Sequence, residues 1–195
     1  TMPFYQKRGE IPKKRHTQFS NNKGDLYWEE LISRGGFSNI YSNVYHKNPP
    51  TCIETIGAMK KIDIQNMDSK HHHMHLMTSK LKSKGDAIES RIPLFFNEDV
   101  IISKAHVNIS MNTLYKNGCA DEVLFIHDGK GIFQSNFGNL VLNPGDYLII
   151  PRGIIWKISV KSKMMMLVIE SHSPIETPER YRNKFGQLLE HSPYA

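Results

Sequence analysis

The stretch A120-DEVLFIHDGKGIFQSNFGNLVLNPGDYLIIPRGIIWKI-158 decides the fold. Short apolar segments alternate in it with glycine-bearing turns: "EVLFIH" runs into Asp128-Gly129, "GIFQS" into "NFGN", "LVL" into "NPGD", and "YLIIP" into "IIWKISV". Several short β-branched and aromatic runs at this spacing predict a β-sandwich or closed barrel. The connections are too short for helical crossovers, so the strands are expected to be antiparallel. The glycines supply the positive φ that tight reversals need.

Outward from this stretch, "VIISKAHVNIS" (100–110) and "MMMLVIE" (164–170) extend the strand pattern on either side. Met164 to Met166 are expected to fill irregular gaps in the core. Residues 60–98 mix basic, polar and apolar side chains and predict an extended segment followed by a loop at Gly85-Asp86. Residues 1–60 have no sustained period. Within them "DLYWEELISR" (25–34) predicts a short helix, with Leu26, Trp28, Leu31 and Ile32 near one face and Gly35-Gly36 ending it. The prolines of "HKNPPT" mark a loop. The expected organisation is an N-terminal arm with a short helix (1–60), a barrel (61–172) and an extended exit segment (173–195).

Composition bounds the function. Of 195 residues, 39% are hydrophobic and 10% aromatic, as in an ordinary globular chain. The longest apolar runs are too short to span a bilayer, and "TMPFYQKRGEIPKKRH" has no apolar core of a secretory signal. Cys52 and Cys119 lack zinc spacing and are too few for a disulfide framework; two reduced thiols in a cytoplasmic protein are expected. The net charge of +6 is scattered apart from "KKRH" and "SKLKSK", so neither nucleic acid nor membrane is expected as a partner.

The turn spacing resembles the cupin barrel, an all-β double-stranded β-helix or jelly roll. Glu122 and Gly129 match the E-x6-G end of the first cupin motif, and Gly145, Pro151 and Gly153 match the G-x5-P-x-G of the second. The metal-binding histidines of that pattern are missing. The paired positions fall among Tyr115, Lys116, Asn117 and Gly118, and the second-motif position falls on Trp156. Indole and ammonium groups offer no lone pair, and Glu122 alone cannot hold a metal tightly. The expectation is an interior filled by side chains, with Trp156 as packing and Glu122 either a relic ligand position or, the preferred reading, an exposed carboxylate at a strand start.

Longer blocks carry a closer resemblance. "MPFYQKRGEIPKKRHTQF", "LYWEELISRGGF", "SNVYHKNPPT", "ADEVLFIHDGKG", "GDYLIIPRGIIWKI" and "ESHSPIETPERYRNKFGQLLEHSPY" resemble the N-terminal part of the homogentisate 1,2-dioxygenase family. The resemblance implies a two-barrel enzyme that uses Fe2+ to convert homogentisate and O2 to maleylacetoacetate in tyrosine and phenylalanine catabolism. It places the iron ligands in a C-terminal barrel beyond Ala195, so no catalytic, cofactor-binding or metal residue of that site maps onto this chain. It also implies a homo-oligomer, trimeric or hexameric, and a C-terminal iron-binding barrel as partner. This chain would then be a structural domain, inactive alone. The alternative is a stand-alone, metal-free binding module for a small aromatic or apolar ligand.

Other residues invite functional readings with duller alternatives. His71, His73 and His75 in "HHHMH" alternate and would share one face of a strand, giving adventitious metal binding, against a solvated surface segment. His127 is expected to cap a hairpin and His106 to be a hydrogen-bonded barrel histidine. Glu190 and His191 are adjacent on an extended chain and point to opposite faces. Arg180 and Arg182 flank Tyr181, where contact with a second domain is preferred over binding of a carboxylate.

Overall fold

The computed structural model describes residues 19–33, 41–59, 64, 72–82 and 84–193. These residues fall in two compact units, one made of those up to Leu81 and the other of those from Lys82 onward.

In the first unit, β1 (Trp28–Ser33) pairs antiparallel with β2 (Tyr41–His46). The helix expected over 25–34 is therefore a strand. The reason is tertiary pairing: "YSNVYH" is rich in residues that suit strands and supplies cross-strand partners that a lone helix would lack. Asn43 Nδ2 donates to Glu29 Oε1 at 3.0 Å, and His46 Nε2 lies 2.7 Å from Glu30 Oε2. The Gly35-Gly36 stop lies outside the described residues. Residues 72–77 form no strand, and a single 3-10 turn follows at Thr78–Lys80.

The second unit is a jelly roll. One sheet has five strands in the order β3 (Arg91–Phe96), β4 (Val100–Val107), β11 (Met164–Ser171), β6 (Asp121–Asp128), β9 (Tyr147–Ile150). The other has four, in the order β5 (Tyr115–Lys116), β10 (Ile155–Val160), β7 (Gly131–Ser135), β8 (Gly138–Leu142). Every pairing is antiparallel. From β4 to β11 the chain passes repeatedly between the sheets, which is the winding of a double-stranded β-helix. The all-β, cupin-like expectation holds for this unit.

The barrel's first strand, β3, begins nine residues before the strand pattern is evident in the sequence. Pro93 obscures it. Proline removes a ladder donor and is tolerated on an edge strand or at a bulge, and Pro93 sits on both: β3 is an edge, and its register with β4 shifts between Pro93 and Phe95.

Strand periodicity builds the core. On β6, Leu124 and Ile126 point inward; on β11, Met164, Met166 and Val168 do the same. They meet Phe133, Leu142, Trp156 and Ile158 from the opposite sheet in one cluster. Burying such side chains contributes about 1.5–3 kcal/mol each. The β6–β7 corner depends on Gly129, which has φ +86° and whose Cβ, if present, would lie 2.2 Å from the Lys163 carbonyl oxygen. Only glycine fits there.

Candidate functional site

The turn at 86–90 delivers the central residue. Asp86 Oδ1 accepts hydrogen bonds from the N–H groups of Ile88 and Glu89 at 2.8 and 2.9 Å, and the Asp86 carbonyl accepts from Ser90. The wound turn presents the Ala87 carbonyl to Arg91 Nε at 3.0 Å. Held at its neck, the Arg91 guanidinium reaches into the barrel and donates through Nη1 to Glu122 Oε1 at 2.7 Å. The two side chains are 10% and 1% exposed. Arg91 Nη2 is buried and has no protein acceptor among the described residues.

Glu122 is the residue whose surroundings differ most from expectation. It is fully buried, not an exposed strand-start carboxylate. Its position on β6 puts it on the same face as Leu124 and Ile126, so strand alternation carries it inward. Its second oxygen, Oε2, accepts from Trp156 Nε1 at 3.2 Å. Trp156 is likewise fully buried, as its packing role requires, with Tyr115 at 5.4 Å edge-on and Phe133 at 5.8 Å between ring centroids. Tyr115 is the register partner of Trp156 on β5.

A second carboxylate completes the group. Glu170 on β11 is the register partner of Glu122, and its Oε1 lies 3.5 Å from Arg91 Nη1. Asn117 Nδ2 donates to the same oxygen at 3.1 Å, while Asn117 Oδ1 accepts from the N–H groups of Cys119 and Ala120. Burial, followed by the negative charge of Glu122, pushes the Tyr115 phenol up to about 12, against the partial relief of Arg91. Arg91 also stands over the Tyr115 ring, 5.8 Å from its centroid.

The donor set does not fit a catalytic metal. Both oxygens of Glu122 are engaged by hydrogen-bond donors, Trp156 and Arg91 have no lone pair to offer, and Tyr115 is held as a neutral phenol. Among the described residues no three His, Cys, Asp or Glu side chains are grouped so as to hold an ion.

The other sequence candidates are not drawn to this site. His73 and His75 are exposed in a segment without strand structure, so the shared strand face is not formed, and His71 lies outside the described residues. His127 is exposed at the end of β6, and His106 is part-buried on β4. Cys52 and Cys119 are free and exposed. Arg180 stacks on Tyr181 at 4.6 Å and Arg182 pairs with Glu176. Glu190 and His191 are both exposed near the end of the exit segment. Arg91 and Glu170 were not legible as site residues. Arg91 lies outside the motif spacing, and the only hint of Glu170 is a carboxylate ending the apolar run "MMMLVIE".

A second polar cluster fastens the exit segment. The fully buried Asp121 accepts from Arg152 N and Nε through Oδ1 at 3.0 and 3.1 Å, and from the Ile175 N–H through Oδ2 at 2.9 Å. Arg152 Nη2 also donates to the His172 carbonyl.

Fold and site together define a jelly-roll barrel whose polar centre is an arginine–carboxylate network. No family model matches the chain. Over 195 residues it is 42% identical to a protein of Saccharolobus solfataricus named "Putative dioxygenase", covering 99% of this chain and 50% of that relative. The chain thus spans half the length of that relative. Solved structures similar to it include a cupin superfamily protein from Desulfitobacterium hafniense, at 18% identity and TM-score 0.43, covering 53% of this chain and 94% of that one. An RmlC-like cupin from Shewanella frigidimarina has 14% identity and TM-score 0.43, covering 53% and 93%. No helix among the described residues is long and apolar enough to cross a membrane.

Proposed function

We propose that this chain is a structural barrel of a ring-cleaving dioxygenase of the homogentisate 1,2-dioxygenase kind, and that it is not the half that performs the chemistry. The observation that carries this reading is the engagement of Glu122. The one carboxylate of the cupin motif that survives is neutralised by Arg91 and capped by Trp156, so that each of its oxygens already accepts from a protein donor. The similarity to a relative of twice the length named as a dioxygenase supports the assignment to this class of enzyme.

In this reading the Fe2+ and the residues that bind homogentisate and O2 reside in a second, C-terminal barrel. This chain supplies a rigid body against which that barrel packs, in a trimeric or hexameric cytoplasmic assembly. The clasp of Asp121 on Arg152 and Ile175 fixes the start of the exit segment to the barrel wall. The interior is packed by Trp156, Phe133 and the β6 and β11 side chains, which speaks against a module that holds a small aromatic ligand.

Oxygen uptake in the presence of homogentisate and Fe2+ tests this. The chain alone should consume no oxygen above background, and uptake should appear when the C-terminal half of the longer relative is supplied. Turnover by the isolated chain, abolished by Glu122→Gln, would refute it.

A further inference from the structure

Two carboxylates lie side by side across the β6–β11 ladder, Glu122 and its register partner Glu170. Glu122 is fully buried, so water does not screen it. Two like charges so placed need a positive partner, because an uncompensated buried charge is among the costliest features a fold can carry. In a metal-binding barrel a divalent ion meets such a need. Here Arg91 Nη1 lies 2.7 Å from one carboxylate and 3.5 Å from the other. A guanidinium does not lose its proton in proteins, so its charge is permanent. It is also tethered, by its own backbone on β3 and by Nε on the Ala87 carbonyl.

We propose that Arg91 is the barrel's built-in counter-cation. It takes the place and the charge-neutralising task of a metal ion, ties β3 to β6 and β11, and by its presence keeps divalent ions out. Shortening this side chain converts the interior into a binding site for a small free cation of guanidinium shape, lined by Glu122 and Glu170. The inference is independent of the ring-cleavage reading. It stands on this chain's own atoms, and its test reads stability, not turnover.

The experiment compares thermal melting of the full chain, Arg91→Ala and the double variant Arg91→Ala/Glu122→Gln, each in millimolar guanidinium chloride and in sodium chloride of equal ionic strength. Arg91→Ala should melt well below the parent, and its midpoint should rise with guanidinium but not with sodium. The double variant should melt above Arg91→Ala and show no guanidinium-dependent rise. If Arg91→Ala does not fold, recovery of folded double variant carries the same reading, since removing the stranded charge is then what restores the fold. The proposal is overturned if Arg91→Ala melts with the parent, if guanidinium lowers its midpoint as it does the parent's, or if Glu122→Gln gives no relief.

Discussion

Trp156 Nε1 donates to Glu122 Oε2 at 3.2 Å, joining the two sheets of the barrel through a hydrogen bond between two fully buried side chains. Trp156→Phe keeps most of the ring packing but strands one carboxylate oxygen. A loss of about 1–3 kcal/mol in urea unfolding is expected. A loss close to zero would mean that the indole contributes packing alone.

The exit clasp predicts a local effect. Asp121→Asn keeps one acceptor but turns an amide N–H toward a donor, either Arg152 or the Ile175 N–H. Breaking a buried charged pair costs roughly 3–5 kcal/mol. Limited proteolysis should show earlier cleavage within 172–193 than in the parent. Equal cleavage rates would argue that the segment is held by other contacts.

The two glycine corners should respond differently. Gly129→Ala forces a Cβ to within 2.2 Å of the Lys163 carbonyl oxygen in addition to the strain of φ +86°, whereas Gly145, with φ +91°, faces open space. Gly145→Ala is expected to cost about 1–2 kcal/mol and Gly129→Ala roughly 3 kcal/mol or more. Denaturation midpoints of the two variants check the order, and reversal of that order would contradict the β6–β7 corner described here.

Tyr115 gives a pH signature at the alkaline end. Its phenol is pushed up from 10.0 to about 12, chiefly by burial and then by Glu122. Below pH 10 the folded and unfolded chains both keep this proton. Above it the unfolded chain releases the proton first, so stability falls as pH rises from about 10 to about 12. Ultraviolet titration should show one phenol ionising later than the rest, absent in Tyr115→Phe. The alkaline loss of stability should be shallower in that variant. An unchanged titration curve would place Tyr115 in water.

Much of the barrel is legible in the sequence because its information is local. Glycine turns at Gly129, Gly145 and Gly153 have the positive φ their positions imply, and the apolar runs before, between and after them become β6 to β11. The parts that are not legible depend on distant partners. "DLYWEELISR" satisfies a helical face as well as a strand, and only the "YSNVYH" strand beyond it decides between them. β3 is hidden by Pro93, which an edge strand accepts. For the site, the missing histidines and the inward Trp156 could be read from motif spacing, but the burial of Glu122 could not. A carboxylate at a strand start is ordinarily exposed, and it takes the Arg91 guanidinium, 31 residues earlier in the chain, together with the Trp156 N–H to make the interior tenable for it.

Metal analysis of the chain before and after dialysis against a strong chelator tests the central claim most directly: that the Arg91 guanidinium, not a metal ion, holds the polar heart of this barrel. Substantially less than one divalent ion per chain, with the same melting midpoint on both sides of the dialysis, is the predicted result. One chelator-resistant ion per chain, lost on substitution of Glu122 by Gln, would contradict it.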